Sequence, residues 1–492
     1  MRMNPLLLTD GYKTGHHQQY PKGTTMVYSN FTPRSNKYAP AGCKDVVVFG
    51  TQMVIQQIHD AFQTEFFNRP KAEVCGEMKE ELSMYLGTDY DVSHFEALHD
   101  LGYLPIVISA LEEGTLCPIK VPVLTIYNTL PEFYWLTNYL ETIISNLLWK
   151  PMTSASIAHE YRKVLTRWQE KTDAERAWFV DWQGHDFSMR GMDSIDAVVS
   201  SGVAHLTSFL GSDSLPAIAG ARKYYNATGM VCGSVNATEH SVMCAGGKED
   251  EVETFRRLLE TYPTGILSVV SDTWDLWKVC TEHVVALKDE ILARDGKLVI
   301  RPDSGDPVDI LCGKYPSFGK GLDCEDKGVI ELLWDVFGGT INEQGYKVLD
   351  SHIGAIYGDS ITIDRANEIC KRLEAKGFAS TNVVLGIGSF TYQYNTRDTF
   401  GFAMKATYVE VNGEGREIFK DPITDDGTKK SATGLLQVVK SESGHYVLRD
   451  RVDREDEAHG ELVTRYMNGQ FYNKTTLDAI RNNLKQTQLQ EA

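Results

Sequence analysis

Short apolar runs that end abruptly in polar residues recur through the middle of the chain. Four runs have this form: Ile266–Asp272, Lys297–Asp303, Ile353–Asp359 and Val383–Ser389. Their apolar residues are continuous rather than alternating, which is typical of parallel strands that are buried on both faces. The pattern therefore predicts four strands of a parallel sheet.

Segments with helical period lie between these predicted strands. Ile363–Lys376 has apolar residues at helical spacing. Trp274–Ala293 has one apolar stripe, made of Leu276, Trp277, Cys280, Val284, Leu287 and Ile291. Strands that alternate with helices indicate repeated βα units, and the polar residues fall at the carboxyl ends of the strands, where a (β/α)₈ barrel carries its active site. A doubly wound sheet places ligands at the same edge, so the sequence favours a barrel but leaves that alternative open.

The two flanks of this region have a different pattern. Beyond about Arg397, YVEVNGEGREIF and LLQVVKSESGHYVL predict hairpins that turn at Asn412-Gly413 and Ser443-Gly444. Near the N-terminus, VYSNF and DVVVF resemble strands, and FYWLTNYLETIISNLLW is helical in pattern. We therefore expect an α/β fold with an irregular (β/α) barrel over residues 151–390. Residues 1–150 and 391–492 are expected to form one discontinuous mixed α+β domain.

Composition excludes several classes of protein. The apolar content of 42% and the charged content of 24% are ordinary for a soluble enzyme, and no apolar run is long enough to cross a membrane. The start of the chain, MRMNPLLLTDGYK, lacks the form of a signal peptide, and the nine cysteines include no CxxC pair. We expect a cytoplasmic protein with reduced thiols.

The net charge of −18 argues against nucleic acid or an anionic membrane as a partner. A phosphate site in so acidic a chain must be built locally, from clustered Arg and Lys, backbone N–H groups and a divalent cation. The chain has neither a GxGxxG after a first strand nor a Walker A motif, which weakens dinucleotide-fold and P-loop interpretations.

The motif RPDSGDP supplies the first candidate chemistry. Arg301 and Asp303 are two residues apart, so an extended chain places them on one side. Arg301 can grip a phosphate in bidentate fashion, and Asp303 can hold ribose hydroxyls or metal-bound water. The alternative is a structural Arg–Asp pair that closes a turn.

The other strand ends add carboxylates and glycines. Asp272 and Asp359 are the carboxylates, and Gly358, Gly386 and Gly388 allow backbone N–H groups to approach a phosphate. A single Gly-Asp is usually only a turn, but four such ends in one register indicate a phosphosugar site. On these residues alone, the chain could be an aldolase, an isomerase or a phosphoribosyltransferase.

Two further segments carry candidate residues. In HDFSMRG, the ring of Phe187 can stack a planar heterocycle and Arg190 can hold a phosphate; a core Phe with a surface Arg is the alternative. In ATEHS, His240 follows a glutamate and is a candidate for phosphoryl or proton transfer. A lone histidine is more often structural.

Ten motifs in order along most of the chain resemble those of the nicotinamide phosphoribosyltransferases, a branch of the type II phosphoribosyltransferases. They are LLTDGYKTGHHQQYP, YWLTNYLET, HDFSMRG, GSDS, ATEHS, VVSDTWD, IRPDSGDP, YGDS, NTRDTFGFAMKATY and FKDP. Members of this family are pentosyltransferases of NAD salvage. They transfer 5-phosphoribose from phosphoribosyl pyrophosphate to nicotinamide with Mg²⁺, and release nicotinamide mononucleotide and pyrophosphate.

The resemblance implies a role for each matching residue. Nicotinamide is expected between Phe187 and Tyr12 of the second subunit of a homodimer, with Asp213 accepting its amide N–H. Arg301 is expected near the amide and the phosphates. His240 matches a histidine that ATP phosphorylates, which would make ATP an activating cosubstrate.

The remaining matches surround the ribose and its phosphates. Asp272 and Asp303 match residues around the ribose and hydrated Mg²⁺, and Gly358 and Asp359 fall at the sugar phosphate. The basic groups expected around phosphate and pyrophosphate are Arg190, Arg397, Lys405, Lys420, Lys429 and, less closely matched, Arg34.

Three positions depart from the family pattern. The loop expected to be rich in glycine is GIGSFTY, so Ser389 and Phe390 stand where glycines are usual, and Gly388 and Ser389 are the candidate phosphate-binding residues. Ala403 replaces a serine, which removes one hydrogen bond worth about 1 kcal/mol. A gap leaves either Lys429 or Lys430 as the match.

Asp213 distinguishes this activity from its close rival, the nicotinate phosphoribosyltransferases. A carboxylate can accept the N–H of a carboxamide, whereas it repels the carboxylate of nicotinate. The alternative for Asp213 is a helix N-cap before Leu215–Tyr225. A non-catalytic binding protein on the same fold is a third hypothesis.

Overall fold

The structure, a computed structural model, describes residues 3–314, 323–358, 360–419 and 432–491. Asp359, Lys420, Lys429 and Lys430 lie outside the described residues. No helix among the described residues is both long and apolar enough to span a membrane.

Seven parallel strands form the central sheet. In chain order, from first to seventh, these barrel strands are Gly184–Asp186, Gly211–Ser212, Asn236–Ala237, Thr264–Val270, Asp295–Arg301, Ile353–Tyr357 and Val383–Ile387. Their spatial order is second, first, seventh, sixth, fifth, fourth and third. A parallel bridge joins Gly211 of the second strand to Gly233, close to the third, so the two edges of the sheet meet. The predicted α/β class is confirmed, with seven described strands in place of the eight of a regular barrel.

Helices cover the outside of this sheet. They include Ile195–His205, Pro216–Tyr225, His240–Gly246, Glu251–Thr261, Pro307–Cys312, Cys324–Phe337, Ile363–Ala375 and Ser389–Gln393. All four strands predicted from the apolar runs are present, and the described polar residues stand at the end of their strand or directly after it. The barrel core therefore directs these polar residues to one rim.

The helix predicted over Trp274–Ala293 is less regular than its sequence pattern indicates. It is divided into Leu276–Lys278, a π-helical turn at Val279–His283, Val284–Ala286 and Lys288–Ala293. The predicted apolar stripe is nevertheless buried or partly buried at every position. Packing against the barrel therefore takes precedence over regular helical hydrogen bonding.

The N- and C-terminal segments share a second, antiparallel sheet. In spatial order its strands are Glu414–Glu417, Ala403–Val411, Thr24–Thr32, Leu124–Asn128, Ile106–Ala110, Val463–Met467 and Gln470–Phe471. The N-terminal helices are Thr51–Phe62, Lys71–Leu86 and Ser93–Leu101. Small two-stranded sheets are Val46–Val47 with Leu116–Cys117, Gly339–Ile341 with Lys347–Leu349, and Leu435–Lys440 with Tyr446–Val452. Asn412 and Gly413 both have positive φ, as their predicted hairpin turn requires.

A helix of 39 residues, Tyr134–Thr172, joins the two parts of the molecule. Its first half packs in the core of the antiparallel sheet, and its second half packs in the core of the barrel. The boundary that we place at residue 150 thus falls inside one helix. A final helix, Leu477–Glu491, was not evident from the hairpin pattern, and its Leu477, Ile480 and Leu484 pack in a third core with barrel-side helices.

Candidate active site

A cavity of about 510 Å³ opens inside the barrel. Phe187, Asp213 and Arg301 line it, and they come from the ends of the first, second and fifth barrel strands. Apolar residues such as Val299 and Ala355 form other parts of the wall. A large apolar cavity with a few converging polar groups is the usual form of a small-molecule site.

Phe187 forms a flat platform on one side of this cavity. Its backbone N–H donates to the carbonyl of Ile387 over 2.9 Å, which extends the pairing of the first and seventh strands. A Cβ on Gly386 would lie 2.6 Å from the Phe187 ring. Glycine at 386 therefore lets the ring lie directly on the strand backbone.

Asp213 is not a helix N-cap. The next helix begins at Pro216, its N-cap position is Leu215, and no side chain caps it. Instead, Asp213 Oδ1 accepts hydrogen bonds from His185 Nε2, 2.9 Å away, and from the Ser234 hydroxyl. Burial raises the pKa of Asp213, but the hydrogen bonds from His185 and Ser234 outweigh it, so the net pKa is lowered. The carboxylate is therefore ionised at neutral pH.

Arg301 and Asp303 do lie together on the rim. Arg301 Nε is 3.9 Å from Asp303 Oδ1, which is an ion pair but is too long for a hydrogen bond. The guanidinium also donates to the carbonyl of Thr238. A Cβ on Gly358 would lie 2.4 Å from Asp303 Oδ1, so the end of the sixth strand passes directly beside this carboxylate.

Asp272 connects two strand ends. Its Oδ2 accepts hydrogen bonds from the backbone N–H groups of Asp303 and Ser304, at 2.8 and 2.7 Å, and from the Ser304 hydroxyl. Its other oxygen, Oδ1, lies 3.8 Å from His240 Nε2. His240 Nδ1 is 3.1 Å from the Thr273 hydroxyl, so the two contacts fix the plane of an imidazole that is half exposed.

The loop after the seventh strand has room for the two side chains that stand where the family usually has glycines. Gly388 precedes the short helix Ser389–Gln393, and a Cβ on Gly388 would meet no atom within 4 Å. The side chain of Ser389 lies against Gly191, and the exposed ring of Phe390 stacks on Tyr394 at 4.9 Å. The bulk of Phe390 is thus accommodated by the next turn of its own helix.

The structure does not bring the predicted basic residues together at one site. Arg190 is exposed in the turn Met189–Gly191, and Arg34 donates to the carbonyl of Gly401. Arg397 and Lys405 line a separate polar cleft of about 360 Å³ together with Tyr12. All residues described as lining this cleft belong to the discontinuous domain and none to the barrel strands.

Two residues beside Asp213 were not singled out from the sequence. His185 precedes Phe187 by two positions, so in an extended strand both side chains point to the same face, and that spacing could have indicated it. Ser234 precedes the third strand, and no local pattern links it to Asp213. Only the closure of the barrel brings these residues together.

Comparison with known proteins gives family matches over both parts of the chain. Residues 182–482 match the nicotinate phosphoribosyltransferase (NAPRTase) family, and residues 4–74 match the nicotinamide phosphoribosyltransferase N-terminal domain. A nicotinamide phosphoribosyltransferase from Acinetobacter baylyi is 53% identical, covering 99% of this chain and 98% of that protein. One from Xanthomonas campestris is 33% identical, covering 97% of each.

Two solved structures share the fold at low sequence identity. A nicotinate-nucleotide pyrophosphorylase from Pyrococcus furiosus matches with a TM-score of 0.58 at 15% identity, over 99% of this chain and 96% of that chain. Human nicotinic acid phosphoribosyltransferase matches with a TM-score of 0.58 at 14% identity, over 98% and 94%. The family matches and the relatives from Acinetobacter baylyi and Xanthomonas campestris show that the chain belongs to the nicotinamide phosphoribosyltransferase branch of the nicotinate phosphoribosyltransferase family.

Proposed function

We propose that the enzyme transfers 5-phosphoribose from phosphoribosyl pyrophosphate to the ring nitrogen of nicotinamide, giving nicotinamide mononucleotide and pyrophosphate for NAD salvage. The observation that carries this proposal is the ionised carboxylate of Asp213 in the same cavity as Phe187 and Arg301. The names of the relatives support it.

The choice of base follows from charge. The carboxylate of Asp213 accepts an amide N–H of nicotinamide, while Phe187 stacks on the pyridine ring and Arg301 lies near the amide and the phosphates. Nicotinate would bring a second carboxylate against Asp213 in a largely apolar cavity. The alternative activity, on nicotinate, is disfavoured for that reason.

The reaction separates charge between the ribose and the leaving group. Departure of pyrophosphate builds positive charge on the ribose, which the carboxylates of Asp303 and Asp272 stabilise. Arg301 and Arg190, with the backbone around Gly358, Gly388 and Ser389, hold the anionic groups. The protein forms no covalent bond to the sugar in this scheme, so positioning dominates.

The carboxylates also fit the Mg²⁺ that the family resemblance implies. Asp272 Oδ1 is buried and accepts no hydrogen bond from the described residues. Such an oxygen suits a hydrated magnesium ion, which keeps most of its water ligands. We propose that Asp272 and Asp303 hold Mg²⁺ through water, where the ion neutralises pyrophosphate charge.

His240 is the proposed acceptor of a phosphoryl group from ATP. Its side chain is 49% exposed, so ATP can reach it, and Asp272 and Thr273 fix its orientation. The γ-phosphoryl group moves to an imidazole nitrogen as ADP leaves, and water later releases phosphate. Coupling of this cycle to product formation is part of the proposal.

A homodimer completes the site in this proposal. Tyr12, Arg397 and Lys405 line a cleft apart from the barrel cavity, as expected for residues that serve the active site of a partner subunit. All nine cysteines are free, which fits the reducing cytoplasm where we propose that the enzyme acts.

The test is product analysis. The protein is incubated with phosphoribosyl pyrophosphate and Mg²⁺, with nicotinamide or nicotinate, and with or without ATP, and the mononucleotide is identified by chromatography. We expect nicotinamide mononucleotide. Nicotinate mononucleotide alone would overturn the choice of base, and no product from either base would favour a non-catalytic binding protein.

The ATP role has its own test. We expect His240→Ala to abolish product-dependent ATP hydrolysis while some ATP-independent transfer remains, because the ribose and base sites are intact. ATP consumption and mononucleotide formation are measured in the same reaction. Full ATP coupling in the variant would exclude His240 as the acceptor.

A further inference from the structure

We propose that His185 is a positioning residue that sets the choice of nicotinamide over nicotinate by fixing which oxygen of Asp213 faces the substrate. This inference rests on the proposed function, in which Asp213 accepts the amide N–H. His185 itself belongs to the wall behind Asp213.

The first observation is that both donors to Asp213 converge on one oxygen. His185 Nε2 and the Ser234 hydroxyl both bond to Oδ1. Both hydrogen bonds that described residues donate to the Asp213 side chain end on Oδ1 and none ends on Oδ2, and the side chain is 43% exposed. Oδ2 is therefore the oxygen that remains available for a ligand.

The second observation is that the imidazole is held in place on several sides. Its side chain is only 11% exposed, and its ring centre lies 4.6 Å from that of Phe187. A Cβ on Gly211 would lie 2.7 Å from His185 Nδ1, so the paired second strand presses on the opposite nitrogen. The ring cannot turn without displacing the Phe187 platform or the strand.

These contacts link the two groups that recognise the base. A hydrogen bond to a carboxylate requires a proton on Nε2, because the carboxylate can only accept. The same imidazole thus bonds to Asp213 and packs against Phe187. It fixes the carboxylate relative to the plane in which the pyridine ring is stacked, as a supporting residue does in other preorganised sites.

A matched pair of variants separates this role from a general structural one. The amide of glutamine extends to about the position of imidazole Nε2, whereas that of asparagine falls short by one methylene. We expect His185→Asn to raise KM for nicotinamide about 10-fold and to lower the preference over nicotinate similarly, with KM for phosphoribosyl pyrophosphate unchanged. His185→Gln should retain most of the wild-type values.

Several results would overturn the inference. Equal behaviour of the Asn and Gln variants would do so, and so would a parallel rise of KM for both substrates. Absence of nicotinamide mononucleotide with the wild-type enzyme would instead refute the proposed function.

A measurement on the wild-type enzyme avoids any dependence on the folding of variants. We expect the ¹⁵N NMR signals of the His185 imidazole to show the proton on Nε2, where it is donated to the Asp213 carboxylate. A proton found only on Nδ1 would contradict the proposed hydrogen bond.

Discussion

The barrel cavity and the polar cleft of the discontinuous domain differ in how they hold their candidate residues. In the cavity, Asp213 is fixed by His185 and Ser234, and Phe187 lies directly on a strand. In the cleft, Tyr12 is 67% exposed, and its ring packs edge-on against His16, directly after the anchored turn Gly11–Gly15. The cavity is preorganised for the base, whereas the cleft of about 360 Å³ carries an exposed ring on its wall.

The anchor of that turn is a buried ion pair. Lys13 Nζ lies 2.7 Å from Glu141 Oε2 on the long helix, and Ser29 donates to the other carboxylate oxygen. The neighbouring turn residue Tyr12 is thereby held at the surface. A fixed backbone with an exposed ring suits insertion into another subunit, which is the role that we propose for it.

The largest expected effect concerns the cavity. We expect Arg301→Ala to lower kcat/KM by about 100- to 1000-fold, because it removes a preorganised cation beside the phosphates. Steady-state kinetics measures the loss, with thermal melting as the control for folding, since Arg301 also bonds to Thr238. A loss below tenfold would remove Arg301 from the proposed machinery.

Mixing two variants that are each expected to be inactive tests whether the cleft of one subunit serves the cavity of its partner. Tyr12→Ala and Phe187→Ala affect the cleft and the cavity respectively, so a mixed dimer has one doubly altered site and one intact site. After subunit exchange we expect activity to recover to about one quarter of wild type, because about half of the dimers are mixed. Activity that stays at the level of the separate variants would show that both residues act in the same chain.

A smaller effect is expected to distinguish Gly358 from Gly388, two glycines for which we propose phosphate contacts. Gly358→Ala places a Cβ 2.4 Å from Asp303 Oδ1, the movable end of a side chain, so we expect a loss of about 0.5 to 1 kcal/mol in the free energy of unfolding. Gly388→Ala is the matched control, because its Cβ meets no protein atom within 4 Å. Denaturant unfolding measures both, and equal destabilisation of the two variants would contradict the close approach of Gly358 to Asp303.

The sequence predicts the barrel better than it predicts the site. Continuous apolar runs locate four strands and the rim residues that follow them, because burial on both faces leaves a strong local pattern. The contacts of Asp213 with His185 and Ser234 depend on how three strands meet, which no local pattern encodes. Nor does local spacing show whether Asp213 caps the next helix; the start of that helix at Pro216 shows that it does not.

The separation of Tyr12, Arg397 and Lys405 from the barrel is likewise a tertiary property. The family resemblance assigns them to the substrate, but only the packing of the discontinuous domain shows that they share a cleft of their own. The hairpin pattern after Arg397 is confirmed at the Asn412-Gly413 turn, whereas the final helix is set by packing with the third core.

The ratio of kcat/KM for nicotinamide to that for nicotinate shows whether the carboxylate of Asp213 selects the amide. We expect a ratio on the order of 10⁴ for the wild-type enzyme. In Asp213→Asn the ratio should fall steeply, because a neutral amide no longer repels the nicotinate carboxylate. An unchanged ratio in Asp213→Asn would exclude the Asp213 carboxylate as the group that selects the amide.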